Sequence, residues 1–353
     1  MRIKELQKML DSKTAAIVSG HQNRFYLTSF PSSAGSVVIT KNTATLLIDF
    51  RYFEKAKATV KGLEVRLCQN QFKEITEILK KENIKDVLIE TENVTVDGLK
   101  KIKNALKDFN ISEENVLSNK LTELRQIKST EEINLIKKSQ KITDDAFSHI
   151  LNFIKIGVSE KEIALELEFF MRRQGSEGVA FDTISVSGKN SSLPHGVPTD
   201  KPLNNGDFLT MDFGAVYGGY CSDMTRTVAL DFVSDEQRKV YNIVLEAQLE
   251  ALRNIKPLKP CNEIDKVARD IITNAGYGEC FGHGLGHSVG IDVHESPACN
   301  IRDTAPLKTG MLMTVEPGIY LPDKFGVRIE DMVLVTDGGC ENLTKSPKEL
   351  IIL

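Results

Sequence analysis

Four things are missing from this 353-residue chain, and each absence removes a class of function. No apolar run approaches the roughly 20 residues that a membrane-spanning helix needs. The six cysteines, at positions 68, 221, 261, 280, 299 and 340, form no CxxC pair, which fits free thiols in a cytosolic protein better than a disulfide framework. Neither sign of charge dominates: the formal net charge of -4 leaves no footprint for a polyanion and gives no reason to expect nucleic acid as a partner. No low-complexity segment interrupts the chain. The opening stretch Met-Arg-Ile-Lys-Glu-Leu-Gln-Lys-Met-Leu10 carries charges where a signal peptide would have an apolar core, so a cytoplasmic location without membrane attachment is expected.

What remains is a globular pattern long enough for two domains. Up to about residue 125, helix-like stretches alternate with short apolar strands, Ala15–Ser19, Ser36–Thr40, Thr45–Asp49 and Asp86–Glu90, the signature of an α/β domain. His21 falls at a strand end or loop and His149 on a helix face; neither is assigned a role. A second domain, 126–353, opens on Ser129-Thr-Glu-Glu132, a capping box that starts a helix running to about Ile156, with Phe147, Ile150 and Ile154 on one face. Ser159-Glu-Lys-Glu162 starts another, with Ile163, Leu167, Phe170 and Met171 on one face, stopping at Gly175. An acid-bearing hairpin follows. Then the order recurs. Ser234-Asp-Glu-Gln237 starts a helix facing inward through Val240, Ile243, Val244 and Ala247, Asn262 caps one that ends at Gly276, and a second acid-bearing hairpin closes the chain. Helix, helix, hairpin, twice over, predicts a pseudo-twofold α+β domain.

The first hairpin is Asp207-Phe-Leu-Thr-Met-Asp-Phe-Gly214 and Tyr220-Cys-Ser-Asp-Met-Thr-Arg-Thr-Val228 around Val216-Tyr-Gly-Gly219. A turn centred between Tyr217 and Gly218 places Asp212 across from Asp223, and opposed residues share a face. In the second, Met313–Tyr320 and Val327–Val335 flank a loop centred on Asp323, which sets Glu316 across from Glu330. Four converging carboxylates repel one another unless cations neutralise them. Taken singly, each acid is more simply a solvent-facing strand position. Matched pairs on both hairpins, with Asp212 set among Leu209, Met211 and Phe213, weigh against that.

Between the hairpins, Phe281-Gly-His-Gly-Leu-Gly-His-Ser-Val-Gly-Ile-Asp-Val-His-Glu-Ser-Pro297 holds three of the six histidines. Its glycines at 282, 284, 286 and 290 suggest close approach of backbone to a ligand or positive φ. The run His283–Glu295 resembles the signature of the proline dipeptidase and aminopeptidase P family, whose catalytic domain has the pita-bread fold. Asn23-Arg-Phe-Tyr-Leu-Thr-Ser-Phe30 and Asp49-Phe-Arg-Tyr52 resemble, less strongly, the creatinase-like amino-terminal domain of the same proteins. The resemblance implies that Asp212, Asp223, His287, Glu316 and Glu330 are metal ligands. It further implies that His195, in Leu193-Pro-His-Gly196, lines the substrate cleft with His283 and His294, that Tyr320 and Arg328 lie near the metals, and that the protein is a homodimer in which one subunit's amino-terminal domain borders the other's cleft.

A donor set of four carboxylates and one imidazole is hard and oxygen-rich, which suits two Mn²⁺ ions and also accommodates Co²⁺ or Fe²⁺. Two ions sharing carboxylates lower the pKa of a water held between them and yield a bridging hydroxide. In that scheme Glu316 shuttles the proton, and His283 and His294 stabilise the oxyanion. The implied reaction is hydrolysis of the bond between an amino-terminal residue and proline, and proline-containing peptides are the expected partners. One departure bears on peptide length. Dipeptide-specific relatives often have Arg after the His-Glu-x-Pro stretch, for the substrate's free carboxylate; here that position is Ala298. Three other readings start from the same residues. A methionine aminopeptidase would lack this amino-terminal half, while a creatinase-like enzyme without metal, or a non-catalytic pita-bread binding module, would have lost ligands.

Overall fold

The computed structural model describes residues 2–353 and divides into two compact units, one ending at Arg125 and the other Gln126–Leu353. In the first, a six-stranded sheet runs in the order Glu64–Leu67, Ala44–Ile48, Ser36–Ile39, Thr14–Val18, Asp86–Ile89, Asn110–Ser112. The four inner strands are the apolar ones expected. The two edges were not, because strands of three and four half-exposed residues carry no apolar signature. Ile17, Val38, Leu47 and Val87 pack with Ile75 and Leu79 of the helix Gln71–Lys81 to form the core. His21 opens the helix His21–Thr28 rather than lying in a loop.

The second unit repeats its elements. The helices Thr130–Phe153 and Glu160–Arg173 precede a three-stranded sheet, Met224–Ala229, Phe208–Phe213, Ile184–Ser187. Asp235–Asn254 and Cys261–Asn274 precede a five-stranded sheet in the order Glu295–Cys299, Gly286–Ser288, Leu312–Val315, Asp331–Thr336, Gly339–Asn342. Each half has its own core. Phe147, Ile150, Ile163, Leu167 and Met171 pack on Leu209, Met211 and Phe213 in the first; Val240, Val244 and Ala247 pack on Met313, Val315 and Val333 in the second. Each fully buried side chain of this size stabilises by roughly 1.5–3 kcal/mol.

The capping boxes at Ser129, Ser159 and Ser234 all form, each worth roughly 1 kcal/mol. Gly175 and Gly276, at φ +96° and +90°, follow the ends of their helices, where an L side chain would be strained. Asn262 is not a cap. The helix Cys261–Asn274 has Pro260 at its N-cap without a side-chain hydrogen bond, and Asn262 lies inside it with its N–H bonded to the Asp303 carbonyl. The halves meet where Met224–Ala229 faces the second hairpin: Thr225 O accepts from Glu330 N, and the Thr227 hydroxyl bonds both N and O of Arg328. Among the described residues no helix is long and apolar enough to cross a membrane.

Candidate metal centre

Chain geometry at that seam decides where the acids point. In the second hairpin the ladder Leu321↔Phe325 through Gly318↔Arg328 lies in register with Val315↔Asp331 through Leu312↔Leu334. Glu316 and Glu330 therefore face each other at the break between the two ladders, as expected, and Pro317, without an N–H, sits at that break. The apex is Asp323, at φ +59°. The first hairpin differs from expectation. Its turn is centred between Gly218 and Gly219, both at positive φ, and Asp212 pairs with Thr225 rather than Asp223. Paired glycines favour this tight, strand-matched turn. The shift amounts to two residues in pairing, so the face is unchanged. Asp212 and Asp223 both line the same cavity.

His287 enters from the strand Gly286–Ser288, where a Cβ on Gly286 would fall 2.1 Å from the Thr314 carbonyl. None of the four glycines of this segment has positive φ. Gly286 and Gly290 make room for Thr314 and for the Glu295 carboxylate, and Gly284 and Gly286 also line the cavity. His287 Nε2 lies 3.4 Å from Glu316 Oε1 and 3.6 Å from Asp223 Oδ2, and ligand atoms of Asp223, His287 and Glu330 all fall within 4.8 Å of one another. Thr225 donates to Glu330 at 2.8 Å and Thr314 to Glu316 at 3.3 Å, while Arg328 clasps Asp212 Oδ2 at 2.6 Å. The other oxygen of Asp212 is buried with no hydrogen-bond partner.

Electrostatically the cluster is unbalanced. Burial, then the neighbouring carboxylates, hold Asp223 and Glu330 well above the ordinary carboxylate range. Burial also raises Asp212, against the pull of Arg328. Burial opposes ionisation of Glu316 too, but the hydrogen bond and charge of His287 outweigh it and leave this group low. The same contacts overcome the burial of His287 and raise it to about 9. Acids so placed are held in ionised form only by positive charge close by. A buried carboxylate oxygen without a donor, beside three further carboxylates and an imidazole, fits hard divalent ions.

The cavity above this cluster encloses about 680 Å³. His195, His283, His294, Ala298 and Arg328 are on its wall. Burial lowers His283, whose Nε2 is 2.9 Å from the Tyr320 hydroxyl; burial, then His287, lowers His294, whose ring meets that of His287 edge-on at 4.4 Å. Both imidazoles are therefore neutral near pH 7. Tyr320 is not on the wall. It stands behind, taking a hydrogen bond from Arg328 and raised to about 12 chiefly by burial. Arg328 also donates to Thr225 Oγ1 and to the Pro194 carbonyl. Thr225, which links Arg328 to Glu330, escaped the sequence reading, although its place two residues from Asp223 puts it on the same strand face. So did Asp182 and Asn300 of the cavity wall, which carry no local sequence signal.

Comparison with known proteins settles the family. Residues 134–337 match the model of metallopeptidase family M24, and residues 2–127 that of the creatinase/prolidase N-terminal domain. The chain belongs to metallopeptidase family M24. Its fold is therefore a pita-bread domain preceded by a creatinase-type domain, and it is an enzyme, a metallopeptidase that uses divalent metal ions. It is similar to the Xaa-Pro dipeptidase from Bacillus anthracis, with 43% identity, a TM-score of 0.96, and 100% of this chain and 99% of that one covered. The X-Pro aminopeptidase from Thermotoga maritima MSB8 superposes at a TM-score of 0.92 with 38% identity, covering 99% of this chain and 100% of that one. An uncharacterized peptidase of Bacillus subtilis (strain 168) is 44% identical over 338 residues, 96% of this chain and 95% of its own length.

Proposed function

We propose that this M24 peptidase removes an amino-terminal residue from peptides with proline in second place, using two divalent ions held by Asp212, Asp223, His287, Glu316 and Glu330. The observation that carries the reading is the convergence of those donors on one cavity floor, with Asp212 Oδ1 lacking a partner. Two ions, with Mn²⁺ the best match to the donors, supply Lewis acidity toward water and the peptide carbonyl. The protein's own groups do the rest. Glu316 takes the proton of the attacking water and returns it to the leaving imide nitrogen. His294, uncharged, donates a hydrogen bond to the developing oxyanion, while His283, whose two ring nitrogens meet the Gly284 carbonyl and the Tyr320 hydroxyl, forms part of the cavity wall. His195 contacts the bound peptide, and Arg328 holds Asp212 in place from the cavity wall. Pro194, Val197 and Val293 give that wall apolar surface for a pyrrolidine ring. The names of the similar proteins support proline specificity.

Longer peptides are the better substrates in this reading. Ala298 is on the wall, Arg302 is exposed and off it, and Arg328 is engaged with Asp212, Tyr320, Thr225 and Pro194, so among the described residues no free guanidinium on the wall meets a dipeptide's carboxylate. The catalytic domain is then 126–353, in a cytoplasmic homodimer, for which light scattering is the check. Measured kcat/KM on Xaa-Pro-Yaa, Xaa-Pro and Xaa-Ala-Yaa tests the substrate assignment. The tripeptide should be cut at the Xaa-Pro bond at least as well as the dipeptide, with the alanine analogue losing most activity; exclusive dipeptide cleavage would overturn it.

A further inference from the structure

The loop that carries His195 runs from Ser187 to Thr199, and a single carboxylate joins its two ends. Glu160, the first residue of the helix Glu160–Arg173, is fully buried. Its Oε1 accepts from Ser187 N at 2.7 Å and Ser187 Oγ at 2.9 Å; its Oε2 accepts from Thr199 Oγ1 at 2.6 Å and Thr199 N at 3.1 Å. The Asn190 amide, inside the loop, reaches both oxygens. Thr199 O in turn accepts from Lys161 N, so the helix start and the loop end are sewn together. A buried carboxylate that faces only neutral donors is costly to desolvate and is tolerated because every lone pair is met. What that arrangement holds is the two ends of the segment that carries His195. Val197 and His195 are exposed; the loop meets the cavity wall through Pro194 O on Arg328, and the second hairpin through Ser191 Oγ on Gly326 N.

We infer that Glu160 is a positioning residue for substrate binding: by clasping Ser187 to Thr199 it fixes where His195 stands over the cavity. The inference rests on the proposed contact between His195 and the peptide. Glu160 touches neither the cavity nor any of the five acid and imidazole donors, so it acts on KM rather than on metal content. Removing its charge loosens the loop and displaces His195, and misplacement of a binding group by about an ångström costs of the order of tenfold to a hundredfold.

The experiment compares Glu160→Gln, His195→Ala and the double variant with the metal-loaded wild type on an Xaa-Pro-Yaa peptide. Glu160→Gln is expected to raise KM about tenfold with kcat and metal content little changed. The double variant is expected to be no worse than His195→Ala. If Glu160→Gln instead lowers kcat at unchanged KM, or multiplies the loss of His195→Ala, Glu160 is only structural and the inference falls. If His195→Ala leaves KM unaltered, the peptide contact itself is wrong, and the inference falls with it for that separate reason. Should Glu160→Gln not fold, Thr199→Val removes one donor at the loop's end and must show the same rise in KM at smaller size; an unchanged KM there overturns the proposal.

Discussion

Two acidic centres in this molecule, both largely shut off from solvent, are opposite in their electrostatics. In the amino-terminal unit Glu90, 1% exposed, accepts from the backbone N–H groups of Ser19 and Gly20 and from the amides of Asn23 and Asn93. Every oxygen is served by neutral donors, and nothing is left for a ligand to do. In the second unit Asp212, Asp223, Glu316 and Glu330 have fewer donors than oxygens, push one another's ionisation upward or draw a proton onto His287, and leave Asp212 Oδ1 buried without a partner. The contrast separates structure from function better than burial does: a buried acid that is fully hydrogen-bonded holds chain together, and a group of acids that is not is waiting for cations.

The largest effect should follow from removing a charge from the under-served centre. Asp223→Asn is expected to lose metal and reduce hydrolysis to background, as metal analysis and kinetics on the same preparation would reveal; retained activity would place the chemistry elsewhere. Next, the adjacent imidazoles should part ways. His287→Ala is expected to lose metal. His294→Ala should keep it while kcat drops about 10²- to 10³-fold, the usual cost of one oxyanion donor. The opposite pattern would exchange their roles. Smaller still, Ala298→Arg should add a charged partner for a dipeptide's carboxylate and raise kcat/KM for Xaa-Pro by about tenfold or more, with little gain on tripeptides. Glu90→Gln should do least to the chemistry. Thermal or denaturant unfolding is expected to show a loss of about 1–3 kcal/mol with metal content and kcat/KM unchanged; a change in metal content would erase the distinction between the two centres.

How far these centres could be read from sequence depends on how locally they are encoded. The second hairpin was legible because its symmetric loop around Asp323 fixes the register that opposes Glu316 and Glu330. The first was legible in face but not in pairing, since two glycines at 218 and 219 admit a turn one residue further on. Helix starts were legible wherever a serine and an acid or amide three residues later cap each other, and misread at Asn262, where Pro260 and the Asp303 carbonyl do that work through tertiary contact. The clasp of Arg328 on Asp212 spans 116 positions, and that of Glu90 on Asn23 spans 67. Partners so distant leave no spacing to count. Of the glycines of the histidine segment, Gly284 and Gly286 line the cavity; Gly286 also fits against Thr314, and Gly290 fits against Glu295, which Lys128 holds at 3.1 Å in a buried ion pair.

The most direct test is to strip the protein with a chelator and return Mn²⁺ in measured equivalents while following cleavage of an Xaa-Pro-Yaa peptide. Activity should be absent in the stripped protein and rise to its plateau at two ions per chain, with Asp223→Asn failing to recover at any equivalent. Full activity without metal, or a plateau reached in the variant as in the wild type, would contradict the account.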